Sequence, residues 1–199
     1  MKINFLKRVS VLTAAVLLIS GLAGCGNSGQ NTEESVEKST EETGGTQTIT
    51  DSIGREVEIP DPVTKAVVAN AYNTEIINAI DALDCVIGVD YNIYQDKESW
   101  QNRFTEDMVI GKSQKELNYE KIIELDPEVL ILTGNGTYEE AEEQLEPFGI
   151  KVIVCDAYYT DQFEKSCDLL GEIFGQEENA EELKSYFMDK LNYIDEQLK

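Results

Sequence analysis

The 199-residue sequence contains no histidine, which removes the commonest general base and the commonest metal ligand. A zinc or manganese site of the histidine-dependent kind is disfavoured with it. The sequence also lacks a Gly-rich phosphate loop, a nucleophile elbow and a paired-cysteine motif, so no catalytic residue is assigned and the chain reads as a non-enzyme. Positive charge is scarce: 16 Lys and Arg stand against 39 Asp and Glu, a formal net charge of −23. So acidic a surface repels phosphate backbones and anionic headgroups, which makes nucleic acid a poor partner.

Also missing is the apolar stretch of roughly 20 residues that a membrane-spanning helix needs. The apolar run 11–19 is shorter. It follows Lys2, Lys7 and Arg8 and precedes Leu22-Ala23-Gly24-Cys25, the order of an export signal's basic, apolar and cleavage regions. The cleavage position resembles the lipobox read by lipoprotein signal peptidase. Residues 1–24 are therefore expected to be removed, leaving Cys25 as the lipid anchor, with diacylglycerol and palmitate holding the chain to the outer face of the cell membrane. Removal takes three of the 16 basic residues and no acidic one, leaving 13 against 39 and a net charge of −26.

Beyond Cys25 the cysteines are Cys85, Cys155 and Cys167, an odd number that allows at most one disulfide. Cys85 opens an apolar run and Cys167 shares a helical stripe with Phe163, Leu170 and Phe174, so both read as small buried hydrophobes without redox chemistry.

Residues 26–46 read GNSGQNTEESVEKSTEETGGT, with one apolar side chain, Val36, among Ser, Thr, Gly and Glu. This composition describes a disordered acidic tether over 25–46. At Thr48 alternation begins, with two short runs around a Ser-Ile-Gly turn that end at Pro60; this is a β-hairpin. Apolar strands are then expected at 66–70, 85–89, 108–110, 129–132 and 152–154. Helices are expected between them at 74–83, at 118–125 and after a Thr137-x-x-Glu140 capping box. Strands this short and wholly apolar, alternating with amphipathic helices, argue an α/β fold with a parallel, Rossmann-like sheet buried on both faces. Two helices follow, over 161–174 and from 178 to 199. The second carries Ala180, Leu183, Phe187, Leu191, Ile194 and Leu198 on one stripe that must bury against something. The expected division is signal 1–24, tether 25–46, ligand-binding lobe 47–159 and helical segment 160–199.

In order, Thr48-Ile-Thr-Asp-Ser-Ile-Gly-Arg-Glu-Val57, Ala66-Val-Val-Ala-Asn-Ala-Tyr-Asn-Thr-Glu-Ile-Ile77, Val86-Ile-Gly-Val89 and Asn118-Tyr-Glu-Lys-Ile-Ile-Glu-Leu-Asp-Pro-Glu-Val-Leu-Ile131 resemble one family over residues 48–199. It is the iron-siderophore and cobalamin family of solute-binding proteins that serve ABC importers. In the last piece Pro127 ends a helix and restricts Asp126 to extended conformations, dropping the chain into the strand that follows. The resemblance implies an extracytoplasmic lipoprotein whose ligand sits between two α/β lobes joined by a long, rigid helix. Only the amino-terminal lobe and a truncated connecting helix are expected here, the second lobe being absent.

In open α/β sheets ligands sit beyond the carboxyl ends of the strands. The loops there hold Asn70, Tyr72, Asn73, Tyr91, Tyr94, Gly134, Asn135, Tyr158 and Tyr159. Aromatic faces and uncharged amides suit a bulky organic ligand: a ferric chelate, haem, whose iron a tyrosine phenolate could also ligate, or a corrinoid. With no Arg or Lys cluster among them, these loops suit a neutral or cationic ligand unless another lobe supplies charge. The same tyrosines could instead merely cover the sheet edge. Glu120 falls where the family carries a glutamate that docks onto permease arginines, although a carboxylate in a helix's first turn is favourable by the dipole alone. Glu75 reads as a capping and dipole residue, and the run Glu139-Glu140-x-Glu142-Glu143 as the solvated face of a helix packed through Ala141, Leu145 and Phe148. The competing reading is an inactive remnant or a surface interaction module without independent ligand binding.

Overall fold

A computed structural model describes residues 45–135 and 137–198. The export signal, Cys25 and residues 26–44 of the tether lie outside the described residues.

The hairpin is strands β1 (Gly45–Thr50) and β2 (Glu56–Asp61), antiparallel with Thr48 opposite Glu58 and Thr50 opposite Glu56. Strand β1 thus starts at Gly45, inside the segment expected to be tether, and Pro60 lies within β2 rather than closing it. Alternation drives the pairing: Ile49 and Ile59 are buried on one face while Thr48 and Glu58 stay outside.

The central sheet contains β3 (Ala66–Val68), β4 (Val86–Val89), β7 (Val129–Leu132) and β8 (Lys151–Val154), all parallel in the order β4-β3-β7-β8. The period-two rule sends Val68, Ile131 and Ile153 into one core with Ile77, Leu170 and Ile173. It sends Val67, Leu130, Leu132 and Val152 into a second core with Ile122, Ala141 and Leu145. Helices α1 (Ala71–Ala79) and α5 (Phe163–Phe174) thus cover one face, and α3 (Tyr119–Leu125) and α4 (Tyr138–Leu145) the other. The expected α/β architecture of a parallel sheet covered on both sides is present. Elements α2 (Tyr91–Gln95), β5 (Gly111–Ser113) and β6 (Glu116–Leu117) fill the link between β4 and α3.

Several local expectations are corrected. Helix α1 begins at Ala71, before the expected residue 74, because Asn70 caps it and its side chain accepts from the N–H groups of Tyr72 and Asn73. Glu75 consequently lies beyond the first turn and is not the capping residue. The trio 108–110 forms no sheet strand: Met108 closes a 3₁₀ turn and only Val109 makes a bridge to Val89. The capping box at Thr137 does not form, since its hydroxyl donates to the Gln114 carbonyl. Phe148 lies in a 3₁₀ turn after α4 and is 59% exposed, outside the apolar face assigned to it. Asp126 is left-handed (φ 50°, ψ 56°) rather than extended. Pro127 disfavours the right-handed helical region at the preceding residue, and an aspartate tolerates the left-handed one, so the stop comes as predicted by another conformation.

Helix α6 (Glu177–Leu198) packs only through its first half. Ala180 is buried against α5 and the Phe187 ring lies 4.2 Å from that of Phe163, whereas Leu191, Ile194 and Leu198 are exposed.

Candidate functional site

The strand order places a crevice. From β3 the chain moves outward to β4; it then returns across β3, enters β7 and moves outward the other way to β8. Connections leaving β3 and β7 in opposite directions open a gap beyond their carboxyl ends, the position at which open α/β sheets take ligands.

At the end of β3 the cap on α1 puts Tyr72 in the first helical turn with its side chain outward, 55% exposed. Asn73, expected to face ligand, is instead fully buried; its amide donates to the Cys155 carbonyl at 3.0 Å, tying α1 to the end of β8. An apolar interior demands such a partner for the amide nitrogen, which ties this asparagine to the fold, while its Oδ1 is buried without a hydrogen-bond partner among the described residues. Asn70 is half-buried at the rim, with its Oδ1 committed to the cap.

After β4, Asp90 caps α2 by accepting from the N–H groups of Asn92 and Ile93. The carboxylate is only 4% exposed, and desolvation raises its pKa against the lowering effect of those hydrogen bonds. The capped turn displays Tyr91, exposed, and Tyr94, half-buried, with ring centroids 5.9 Å apart. Lys97 Nζ sits 3.3 Å from the Tyr94 ring centroid and donates to the Phe104 carbonyl.

The segment after β7 is organised from a distance. Gln114 Oε1 accepts from the Thr133 hydroxyl (2.8 Å) and N–H (3.1 Å), and its Nε2 donates to Asn135 Oδ1 at 2.8 Å. Asn135 therefore stands exposed but oriented. The Gly134 N–H donates to Asp156 Oδ1 at 2.8 Å. A Cβ on Gly134 would lie 3.2 Å from Asp156 Oδ2 and 3.4 Å from Ile53 Cγ2, so the hairpin tip reaches this edge too.

After β8, Tyr158 and Tyr159 stack with centroids 3.9 Å apart, and Tyr72 lies 6.3 Å from Tyr158. The Tyr158 phenol is pushed up to about 12, first by its hydrogen bond to Tyr159 and then by desolvation and neighbouring negative charge, so it is a protonated phenol at neutral pH.

The predicted residues thus form two aromatic groups: Tyr72, Tyr158 and Tyr159 in one, Tyr91 and Tyr94 in the other. Sequence reading missed Gln114, Ile53 and Asp156. Asp156 adjoined the residues it named, but Gln114 and Ile53 arrive from elements with no local signal. A groove of about 490 Å³ lined by Lys65, Asp126, Glu128, Phe148 and Lys151 lies at the opposite, amino-terminal ends of the strands.

Glu120 is exposed in the first turn of α3. That turn is joined to the carboxyl end of β4, because Asn118 N–H donates to the Ile110 carbonyl and Ile110 N–H to that of Val89. Cys155 and Cys167 are buried free thiols, each pushed up to about 12 by burial, and Cys85 is half-buried and also free. Among the described residues no group of three or more Cys, Asp or Glu side chains could hold a metal ion, and the α4 glutamates are exposed as expected.

The periplasmic binding protein family model matches residues 67–199. The chain belongs to that family. It is a family of binding proteins rather than enzymes. The chain is 31% identical over 196 residues to the uncharacterized ABC transporter substrate-binding lipoprotein YvrC of Bacillus subtilis (strain 168), covering 97% of this chain and 60% of that protein. Its fold is similar to a periplasmic solute binding protein from Veillonella parvula (TM-score 0.67, 20% identity, 76% of this chain and 48% of that one). It is also similar to Staphylococcus aureus SirA complexed with staphyloferrin B (TM-score 0.61, 21% identity, 74% of this chain and 48% of that one). The chain thus spans 60% of its curated relative and about half of these solved structures, and the described residues form one α/β lobe of the fold.

Proposed function

We propose that this chain is a solute-binding component of an ABC importer, taking up an organic metal chelate of the ferric-siderophore, haem or cobalamin type. Ligand is held at the carboxyl ends of the strands by Tyr72, Tyr158, Tyr91, Tyr94, Asn70 and Asn135. The observation that carries this reading is the pair of tyrosine groups flanking the crevice beyond β3 and β7. Stacked phenols offer flat apolar area with polar tips, which suits a bulky chelate and gives little purchase on a bare ion. Likeness to a substrate-binding lipoprotein and to a fold solved with staphyloferrin B supports the same assignment.

In this reading Cys25 carries the lipid anchor on the outer face of the membrane, and Glu120 docks to arginines of the permease. The exposed position of Glu120 near the carboxyl end of β4 supports docking on the side from which ligand leaves. A tethered lobe stays at high effective concentration near its permease.

The test is titration of the purified chain with haemin, cyanocobalamin and a ferric hydroxamate chelate, followed by tyrosine fluorescence. Saturable quenching by at least one, weakened by Tyr72→Ala, is expected. Absence of saturable quenching by all three sinks the assignment. Docking is checked separately: Glu120→Arg is expected to abolish uptake while leaving ligand binding unchanged.

A further inference from the structure

The edge read as the ligand site carries an unbalanced charge. Over residues 69–75, 90–94, 133–138 and 155–161 there is no Lys or Arg, while Glu75, Asp90, Asp156 and Asp161 all fall there.

Tertiary structure brings cations towards this edge but gives most of them partners. Arg55, at the hairpin tip, binds Asp51 at 2.7 Å and Glu142 at 3.1 Å and donates to the Val152 carbonyl. Lys97 is occupied by the Tyr94 ring and the Phe104 carbonyl. Lys112, whose carbonyl accepts from Asn92, pairs with Glu116 at 3.0 Å. Lys97, together with Lys115, exposed on the turn beside Gln114, and Lys165, exposed in the first turn of α5 beside Ser52 and Gly54 of the hairpin tip, are the cations that the carboxylates of this edge must outweigh. Asp156 is half-buried; its Oδ1 accepts from Gly134 N–H, and its Oδ2 lies against the Gly134 backbone, where Ile53 and Val154 also close in.

Resting on the assignment of this edge as the ligand site, we infer that the ligand surface seated on this lobe is a flat organic face without negative charge. It stacks on Tyr72, Tyr158 and Tyr159 and turns a positive or hydrogen-donating group towards Asp156. Aromatic faces attract cations through their quadrupole, and a carboxylate at the rim adds to that attraction while repelling an anion. A chelate that presents bare carboxylates or sulfonates to this lobe meets no free guanidinium among the described residues, since Arg55 and Arg103 are both paired with aspartates.

The experiment uses two metal-free porphyrins of equal shape and opposite charge, one with N-methylpyridinium and one with sulfonatophenyl substituents. Each is titrated into the purified chain at low and high salt. A Tyr158→Ala/Tyr159→Ala variant, which leaves every charge in place, separates seating on the rings from general attraction to an acidic protein. The cationic porphyrin is expected to bind at least about tenfold tighter than the anionic one at high salt, and the double variant to lose about tenfold. Asp156→Asn, which keeps an acceptor for Gly134 N–H, is expected to narrow the cation preference severalfold, with melting curves confirming that each variant folds. Equal or tighter binding of the anionic porphyrin, lost in the double variant, overturns this inference and leaves the ligand-site assignment standing. Cation binding that survives in the double variant also overturns it. Failure of both porphyrins to bind takes the ligand-site assignment down with it.

Discussion

Asp51 and Arg55 form a buried ion pair at the tip of the hairpin. Arg55 Nη2 and Nε lie 2.7 and 2.9 Å from Asp51 Oδ2, whose aspartate side chain is fully buried and whose arginine partner is 24% exposed. The other carboxylate oxygen accepts from the N–H groups of Ile53 and Arg55, and Oδ2 also receives the Val154 N–H. One side chain thus closes the turn and fastens it to the end of β8, bringing Ile53 to the ligand edge.

Removing one partner of a buried pair leaves the other charge uncompensated. Asp51→Ala is therefore expected to cost about 3–5 kcal/mol. Urea unfolding followed by circular dichroism measures it, and a loss below about 1 kcal/mol would show that the pair is not what holds the turn.

Asp90 has a folded pKa raised by burial above its unfolded value. A carboxyl group shifted upward favours the fold most when protonated, so its contribution is fullest below the unfolded pKa and declines as pH rises through the folded pKa. Asparagine caps helices as well as aspartate does. Asp90→Asn should therefore gain stability relative to the parent as pH goes from about 3.5 to 7. Paired urea melts at the two pH values decide it; a difference that stays flat or shrinks with pH contradicts the desolvation argument.

Gly171 lies where α5 meets α6, and a Cβ there would come 2.8 Å from Ala180 Cβ, well inside van der Waals contact. Neither atom belongs to a flexible side chain, so the helices must part. Gly171→Ala is expected to cost about 1–3 kcal/mol despite its better helix propensity. A thermal melt shows the sign directly.

The exposed end of α6 and the buried face of α5 should respond differently to substitution. Leu191→Gln and Ile194→Gln remove exposed side chains and should change stability by no more than about 0.5 kcal/mol. Leu170→Ala, in the core between α5 and the sheet, should cost about 2–5 kcal/mol. Hydrogen exchange offers an independent reading, with amides beyond Phe187 exchanging faster than those near Ala180.

Much of the fold is legible residue by residue because the cues are short-range. The all-apolar quartet 129–132 could only be a strand buried on both faces, and its side chains do split between two cores. Where local cues competed, the sequence was a weaker guide. Asn70 can end a strand or cap a helix, and it caps one; Thr137 can cap its own helix or bond elsewhere, and it bonds the Gln114 carbonyl. The tyrosines were nameable as candidates because they follow strands. Asn73, one residue from Tyr72, could not be told from a surface residue, since a helix's rotation decides which neighbour faces solvent.

The sequence by itself determined the α/β architecture, most element positions, the absence of histidine chemistry and the acidic balance. These depend on composition and on periods of two and 3.6 residues, which are local properties. Tertiary structure alone decided that Tyr72 meets Tyr158, that Gln114 orients Asn135 and that Arg55 reaches Glu142. Such pairings follow from strand order and helix packing, which join residues as far apart as 87 positions and leave no periodic trace in the chain.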